Sequence, residues 1–163
     1  MSAHEACWHL HAEPFAPGEA RHQVVEHLTR WGYQLEPAID EALRLVTSEL
    51  VTNAVVHAGK GKITVTLRAE GPEVYVEVQD GSMNEPCVHR SADDEENGRG
   101  LFLVEMLSSS WGSEPVHDGK KVWALMPLTG QLDKAASRPL LGDLARMVCL
   151  GRLFLLVCLL PVA

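Results

Sequence analysis

The sequence is short of basic side chains: 14 Lys and Arg stand against 22 Asp and Glu, a formal net charge of -8. Without a basic surplus to neutralise phosphates, the composition argues against a nucleic-acid partner. Cysteine is scarce too. Four residues (Cys7, Cys87, Cys149, Cys158) in 163 are too few for the disulfide framework of a small secreted domain. No signal-peptide pattern precedes Pro14, because His4, Glu5, His9, His11 and Glu13 break any apolar stretch. A cytoplasmic body is the expectation. A long hydrophobic run is also lacking: in the apolar C-terminal stretch, Arg152 intervenes and only the 11 residues from Leu153 onward lack charge. A membrane span takes about 20 residues. Residues 140–163 are therefore read as an amphipathic or buried helix, and membrane-surface contact through this tail is the less favoured reading.

What is present suffices for one domain, since 46% of the residues are apolar. Charge is uneven: residues 1–130 hold 10 basic and 20 acidic side chains, whereas 131–163 hold 4 and 2. An acidic body at 6–128, a linker at 129–139 and an apolar segment at 140–163 are expected. Residues 6–13 alternate as an opening strand with Trp8 and Leu10 on one face. From Gly18, helical spacing begins (Ala20, Val24, Val25, Leu28), and Gly32 stops it after Trp31. A second helix starts near Pro37; Ile39, Ala42, Leu43, Val46, Leu50 and Ala54 line one face, which His57 can extend, until Gly59 and Gly61 release the chain. Ile63, Val65 and Leu67, then Val74, Val76 and Val78, alternate on either side of Gly71-Pro72 and predict a hairpin. Periodicity is lost over 81–98. It returns as a helix from Arg99 to Leu107 and a last strand from Lys121 to Leu128. The order predicts an α/β two-layer sandwich, an antiparallel or mixed sheet with helices on one face.

Three features can carry chemistry. Glu49, Asn53 and His57 repeat at four residues and share one helix face among apolar neighbours. Glu49 can orient or deprotonate a hydroxyl or water, and the carbonyl oxygen of Asn53 suits Mg²⁺; a helix with a solvated polar edge shows the same pattern. Asp80 ends a strand, where a carboxylate can accept a hydrogen bond from the exocyclic amine of a base, or can simply close a turn. Gly98-Arg99-Gly100 precedes a helix, so backbone N–H groups and the helix dipole can meet phosphate oxygens. A plain helix start explains that triplet as well, and its spacing is neither a P-loop nor a dinucleotide fingerprint.

Taken in order, ELVTNAVVHA (Glu49–Ala58), the strand-end Asp80, GRGLFLV (Gly98–Val104), Trp111-Gly112 and GKKVW (Gly119–Trp123) resemble the serine-kinase anti-sigma factor branch of the gyrase, chaperone, histidine-kinase and MutL (GHKL) ATPase superfamily. The resemblance covers about residues 6 to 128 and implies the Bergerat fold, a histidine-kinase-like ATPase sandwich binding ATP between helices and a lid. It implies that Asn53 holds Mg²⁺, Glu49 acts as base or orienter, Asp80 binds adenine, and Gly98, Arg99 and Gly100 close over phosphates. It also implies a protein serine/threonine kinase acting on an anti-sigma antagonist, with a sigma factor or that antagonist as partner and a homodimer as a possible state. The chain departs from the family pattern at Ser82, where a glycine two residues after the Asp is common, and Met83-Asn84-Glu85-Pro86 lacks a second glycine. This departure favours an alternative: a catalytically weak, nucleotide-gated module that sequesters a regulator.

Other groups carry less. Cys7, His9 and His11 lie on one face of one strand and cannot easily converge in a zinc tetrahedron. Cys87 with His89 lacks an orienting Asp or Asn and reads as an ordinary loop thiol. His57 is read as a packed helix-end residue, the run Asp93–Glu96 as a solvated face, and Trp8, Trp31, Trp111 and Trp123 as core or near-core aromatics.

Overall fold

In the computed structural model, which describes residues 3–58, 61–83 and 99–128, the chain forms β1 (His4–His11), α1 (Ala16–Arg30), α2 (Pro37–Ala58), β2 (Lys62–Glu70), β3 (Glu73–Asp80), α3 (Arg99–Leu107), β4 (Ser110–Val116) and β5 (Gly119–Pro127). The chain divides into two units, Met1–Leu132 and Asp133–Ala163, and all of these elements lie in the first. The expected linker at 129–139 and the apolar segment at 140–163 lie outside the described residues.

All five strands pair antiparallel in the order β1-β2-β3-β5-β4, so the sheet is not mixed. Period-two alternation decides which side chains meet the helices. Ile63, Val65 and Leu67 of β2, Val74, Val76 and Val78 of β3, and Val122, Ala124 and Met126 of β5 are all buried. Pairing aligns Leu10 with Ile63 and Trp8 with Val65, which puts the opening strand's apolar face on the same side.

The helices cover that face. On α2, the spaced residues Ile39, Ala42, Leu43, Val46, Leu50 and Ala54 are buried as the periodicity predicts, whereas His57 is exposed rather than packed. This helix packs on β2, β3 and β5 and also touches α1 and α3, so it is the central rod of the layer. Ala20, Val24 and Leu28 form the buried stripe of α1. Each fully buried Val or Leu of this kind contributes about 1.5–3 kcal/mol relative to exposure.

Two features differ from the expectation. The first is β4, which pairs with β5 along its whole length although no strand is predicted there. Its sequence SWGSEPV has no alternation, contains Gly112 and Pro115, and lies at the sheet edge, where a proline costs no central ladder bond. The second is Trp123. It is half-buried on the sheet face away from the helices, its ring stacked on Tyr75 at 5.7 Å, with the Arg68 guanidinium over the tyrosine. Trp8 and Trp31 are also half-buried, stacked against His27 and His4 respectively.

Candidate functional site

Glu49 and Asn53 project from α2 one turn apart, both half-buried. A carboxylate among apolar neighbours loses hydration, and burial accordingly raises the pKa of Glu49 above its ordinary value of 4.5. Its side chain lies against the first turn of α3: a Cβ built on Gly100 would stand 2.3 Å from Glu49 Oε2. Glycine at position 100 therefore makes room for the carboxylate. The positive end of α3 favours an anionic group there. The Asn53 Nδ2 is buried and, among the described residues, has no hydrogen-bond partner. A buried amide without a partner costs stability and calls for an explanation beyond folding.

The raised pKa of Glu49 has a sign that can be tested. The folded state holds the glutamate's proton to a higher pH than the unfolded chain does. The linked stability is fully present below the unfolded value and is lost as pH rises through the folded one. Glu49→Gln cannot ionise, so it should be more stable than the wild type at about pH 8, by roughly 0.5–2 kcal/mol. That advantage should shrink as pH falls toward about 4.5. Thermal melts across this range measure it, and a glutamine variant less stable than wild type at the alkaline end would contradict the burial argument.

A second cluster forms where β3 ends. Asp80 and Lys120 are directly opposite in the β3–β5 register, and both are buried, at 2% and 3% exposure. The Lys120 Nζ donates to Asp80 Oδ1 at 3.2 Å and lies 3.1 Å from Oδ2. The backbone N–H of Ser82 donates to Oδ1 at 2.7 Å. Any residue except proline supplies such an N–H, so the departure from glycine at position 82 leaves this contact in place. The ammonium thus spans both carboxylate oxygens. Gly119 makes the approach possible: its φ is +141°, and a Cβ there would fall 1.8 Å from the Asp80 carbonyl oxygen.

The structure thus joins Glu49 to the start of α3 and Asp80 to Ser82 and Lys120, while no hydrogen bond or ion pair among the described residues links the two groups. Arg99 is the first residue of α3, and Gly98 lies outside the described residues, as do Cys87, His89 and Asp93–Glu96. Lys120 was not among the residues singled out by sequence. The signal for it was present, because period two places it on the same face as Val122, Ala124 and Met126. Cys7, His9 and His11 are exposed on the edge strand β1, where Thr66 Oγ1 donates to Cys7 Sγ at 3.8 Å.

The donor set fits a magnesium nucleotide. Among the described residues no three His, Cys, Asp or Glu side chains gather into a metal cage. Mg²⁺ in phosphate chemistry needs no such cage: one or two oxygen ligands suffice alongside substrate phosphates and water. The Asn53 carbonyl oxygen would suit the metal and its unpartnered Nδ2 would donate to a phosphate oxygen, while the Asp80 carboxylate, shared with the Lys120 ammonium, would accept from a base amine.

Comparison with known proteins gives the family of the domain. Residues 10–126 match the model of the histidine kinase-like ATPase domain. The chain belongs to that family, and its two-layer arrangement of sheet and helices is the Bergerat-type GHKL architecture. Among solved structures, it is similar to the RsbU and RsbW domains of Rv1364c from Mycobacterium tuberculosis, with 20% identity and a TM-score of 0.54. That likeness covers 77% of this chain and 33% of the other, so this chain spans about a third of the protein it resembles. No curated protein matches. No helix among the described residues is long and apolar enough to cross a membrane.

Proposed function

We propose that this domain binds ATP with Mg²⁺ and transfers the γ-phosphoryl group to a serine or threonine hydroxyl of a regulatory partner protein, in the manner of an anti-sigma factor kinase. The observation that carries the proposal is the half-buried Glu49 carboxylate, with its raised pKa, held against the first turn of α3 in the space that Gly100 leaves. A base in this position accepts the hydroxyl proton as the oxygen attacks the γ-phosphorus and the bond to the bridging oxygen of ADP breaks. Asn53 would hold Mg²⁺ through its carbonyl oxygen, and Asp80 would accept from the exocyclic amine of adenine. Gly100 and the N-terminal turn of α3, with Gly98 and Arg99, would meet the phosphates. When bound, Mg²⁺ stabilises charge developing on the transferred group. The rest is positioning by this chain's own residues.

A macromolecular substrate is supported by the resemblance to serine-kinase anti-sigma factors and by the fold likeness to a protein that carries an RsbW domain. A sigma factor or its antagonist is the proposed partner class, and a homodimer is the proposed assembly. The acidic body would suit basic segments of such a partner. The test is incubation of the wild type with γ-labelled ATP, Mg²⁺ and candidate antagonist proteins. Label on a serine or threonine of one antagonist is the expected result. Binding of ATP without transfer to any of them would replace this reading with a nucleotide-gated sequestering module.

A further inference from the structure

Lys120 is a charged residue where the fold would take an apolar one. Period two sets it on the helix-facing side of β5 with Val122, Ala124 and Met126, all buried, whereas Lys121 turns to the other side beside Glu77. Its side chain is 4% exposed and that of Asp80 is 1% exposed. The ammonium lies 3.2 Å from Oδ1 and 3.1 Å from Oδ2, so it straddles the carboxylate. A buried ion pair adds little to stability over apolar residues of the same size, because both charges lose hydration. A pair of this kind at the end of β3 therefore calls for a role other than folding. We infer that Lys120 is a positioning residue for base recognition: its ammonium, set across both oxygens, holds the Asp80 carboxylate as an anion in one fixed plane, ready for the 6-amino group of adenine.

The inference rests on the nucleotide reading above. The plane of the carboxylate is fixed from the backbone: strand register sets Lys120 directly opposite Asp80, Gly119 lets β5 come close to β3, and the Ser82 N–H holds Oδ1 at 2.7 Å. A further donor can still be accepted, since a carboxylate offers about four lone-pair positions. The charge is balanced by the ammonium. On α2, which packs against β3, Asp40 and Arg44 pair with each other, Glu41 and His57 are exposed, and Glu49 lies against α3. His117 and Asp118, in the turn before β5, are exposed and pair with each other, and the helix-facing residue at this end of β2 is the apolar Ile63. Among the described residues, only Lys120 forms an ion pair with Asp80. Without that ammonium, a carboxylate in this setting takes up a proton, because burial disfavours the charged form. The neutral acid is the weaker acceptor, as hydrogen bonds to an ionised group are roughly twice as strong.

The test compares ATP with purine riboside triphosphate, which lacks only the 6-amino group, each with Mg²⁺, by competition against a fluorescent ATP analogue at about pH 6.5 and about pH 9. The ratio of the two affinities reads the amine contact alone, since phosphates and metal are common to both. Wild-type protein should prefer ATP by about tenfold or more at both pH values. Lys120→Met, of similar length and without charge, should bring the ratio to about one at the lower pH and let it climb by about fivefold or more at the higher, where the carboxylate ionises again. Lys120→Arg, whose guanidinium can span the same two oxygens, should keep the wild-type ratio at both. A merely structural role would weaken both triphosphates together and leave the ratio in place. A folded methionine variant with the wild-type ratio, or with a lowered ratio that stays low at alkaline pH, would overturn the inference. If that variant fails to fold by circular dichroism, the arginine variant decides, and a ratio of about one in the folded arginine protein would overturn it. Wild-type protein that binds both triphosphates equally would overturn it without any variant. Folded wild-type protein that binds neither would instead overturn the nucleotide reading itself.

Discussion

Glu49→Gln should retain ATP affinity within a few-fold and lose phosphotransfer by about 100-fold or more, the scale on which a positioned general base contributes. The two effects separate because the carboxylate and its amide differ little in size but completely in their ability to take a proton. Glutamine still fits the space beside Gly100, so the first turn of α3 keeps its neighbour. What it cannot do is receive the proton of an attacking hydroxyl. A base whose pKa is lifted by burial is better matched to that task near neutral pH than an ordinary surface carboxylate. The same substitution should raise thermal stability at alkaline pH, so one variant gains stability while losing turnover. That opposition marks a group kept for chemistry rather than for folding. Single-turnover transfer assays alongside binding titrations measure it, and equal transfer by Glu49→Gln and wild type would remove Glu49 from the mechanism.

Asn53→Ala should abolish most magnesium-nucleotide binding, a loss on the order of 100-fold or about 2.7 kcal/mol, with little cost to the fold. Among the described residues the Asn53 Nδ2 is buried without a partner, so truncation removes an unsatisfied donor. The amide's value lies wholly in the bound state, where its carbonyl oxygen is the proposed protein ligand to Mg²⁺. Asn53→Asp restores an oxygen donor and should recover part of the affinity. A melting temperature unchanged in Asn53→Ala while the binding heat disappears is the expected pattern. Strong destabilisation with binding intact would make Asn53 a structural residue.

Much of the scaffold is legible in the sequence because local periodicity and burial agree. The α2 stripe and the β2–β3 hairpin each present an uninterrupted apolar pattern, and their buried residues are those the pattern selects. In β4 that agreement is missing. Trp111 and Val116, its only large apolar residues, fall five positions apart, and the strand is defined by backbone pairing with β5 instead. The candidate site divides the same way. Glu49 and Asn53 stand out as polar residues inside an apolar helix, and Asp80 as a strand-end carboxylate. The ion pair that completes Asp80 joins residues 40 positions apart in sequence, and only strand register brings them face to face. Lys120 and Lys121 look alike as letters, yet one is buried against Asp80 and the other is half-buried on the opposite face beside Glu77. Cross-strand partners are set by long-range pairing, which a local reading does not contain.

The central claim is that this chain is a nucleotide-binding member of its family, and calorimetric titration of the full wild-type chain with ATP and Mg²⁺ tests it most directly. The account predicts saturable heat with a stoichiometry of about one nucleotide per chain, as expected of one site proposed at Asn53, Asp80 and the start of α3. Folded protein that gives no heat, and that fails to displace a fluorescent ATP analogue, would contradict it.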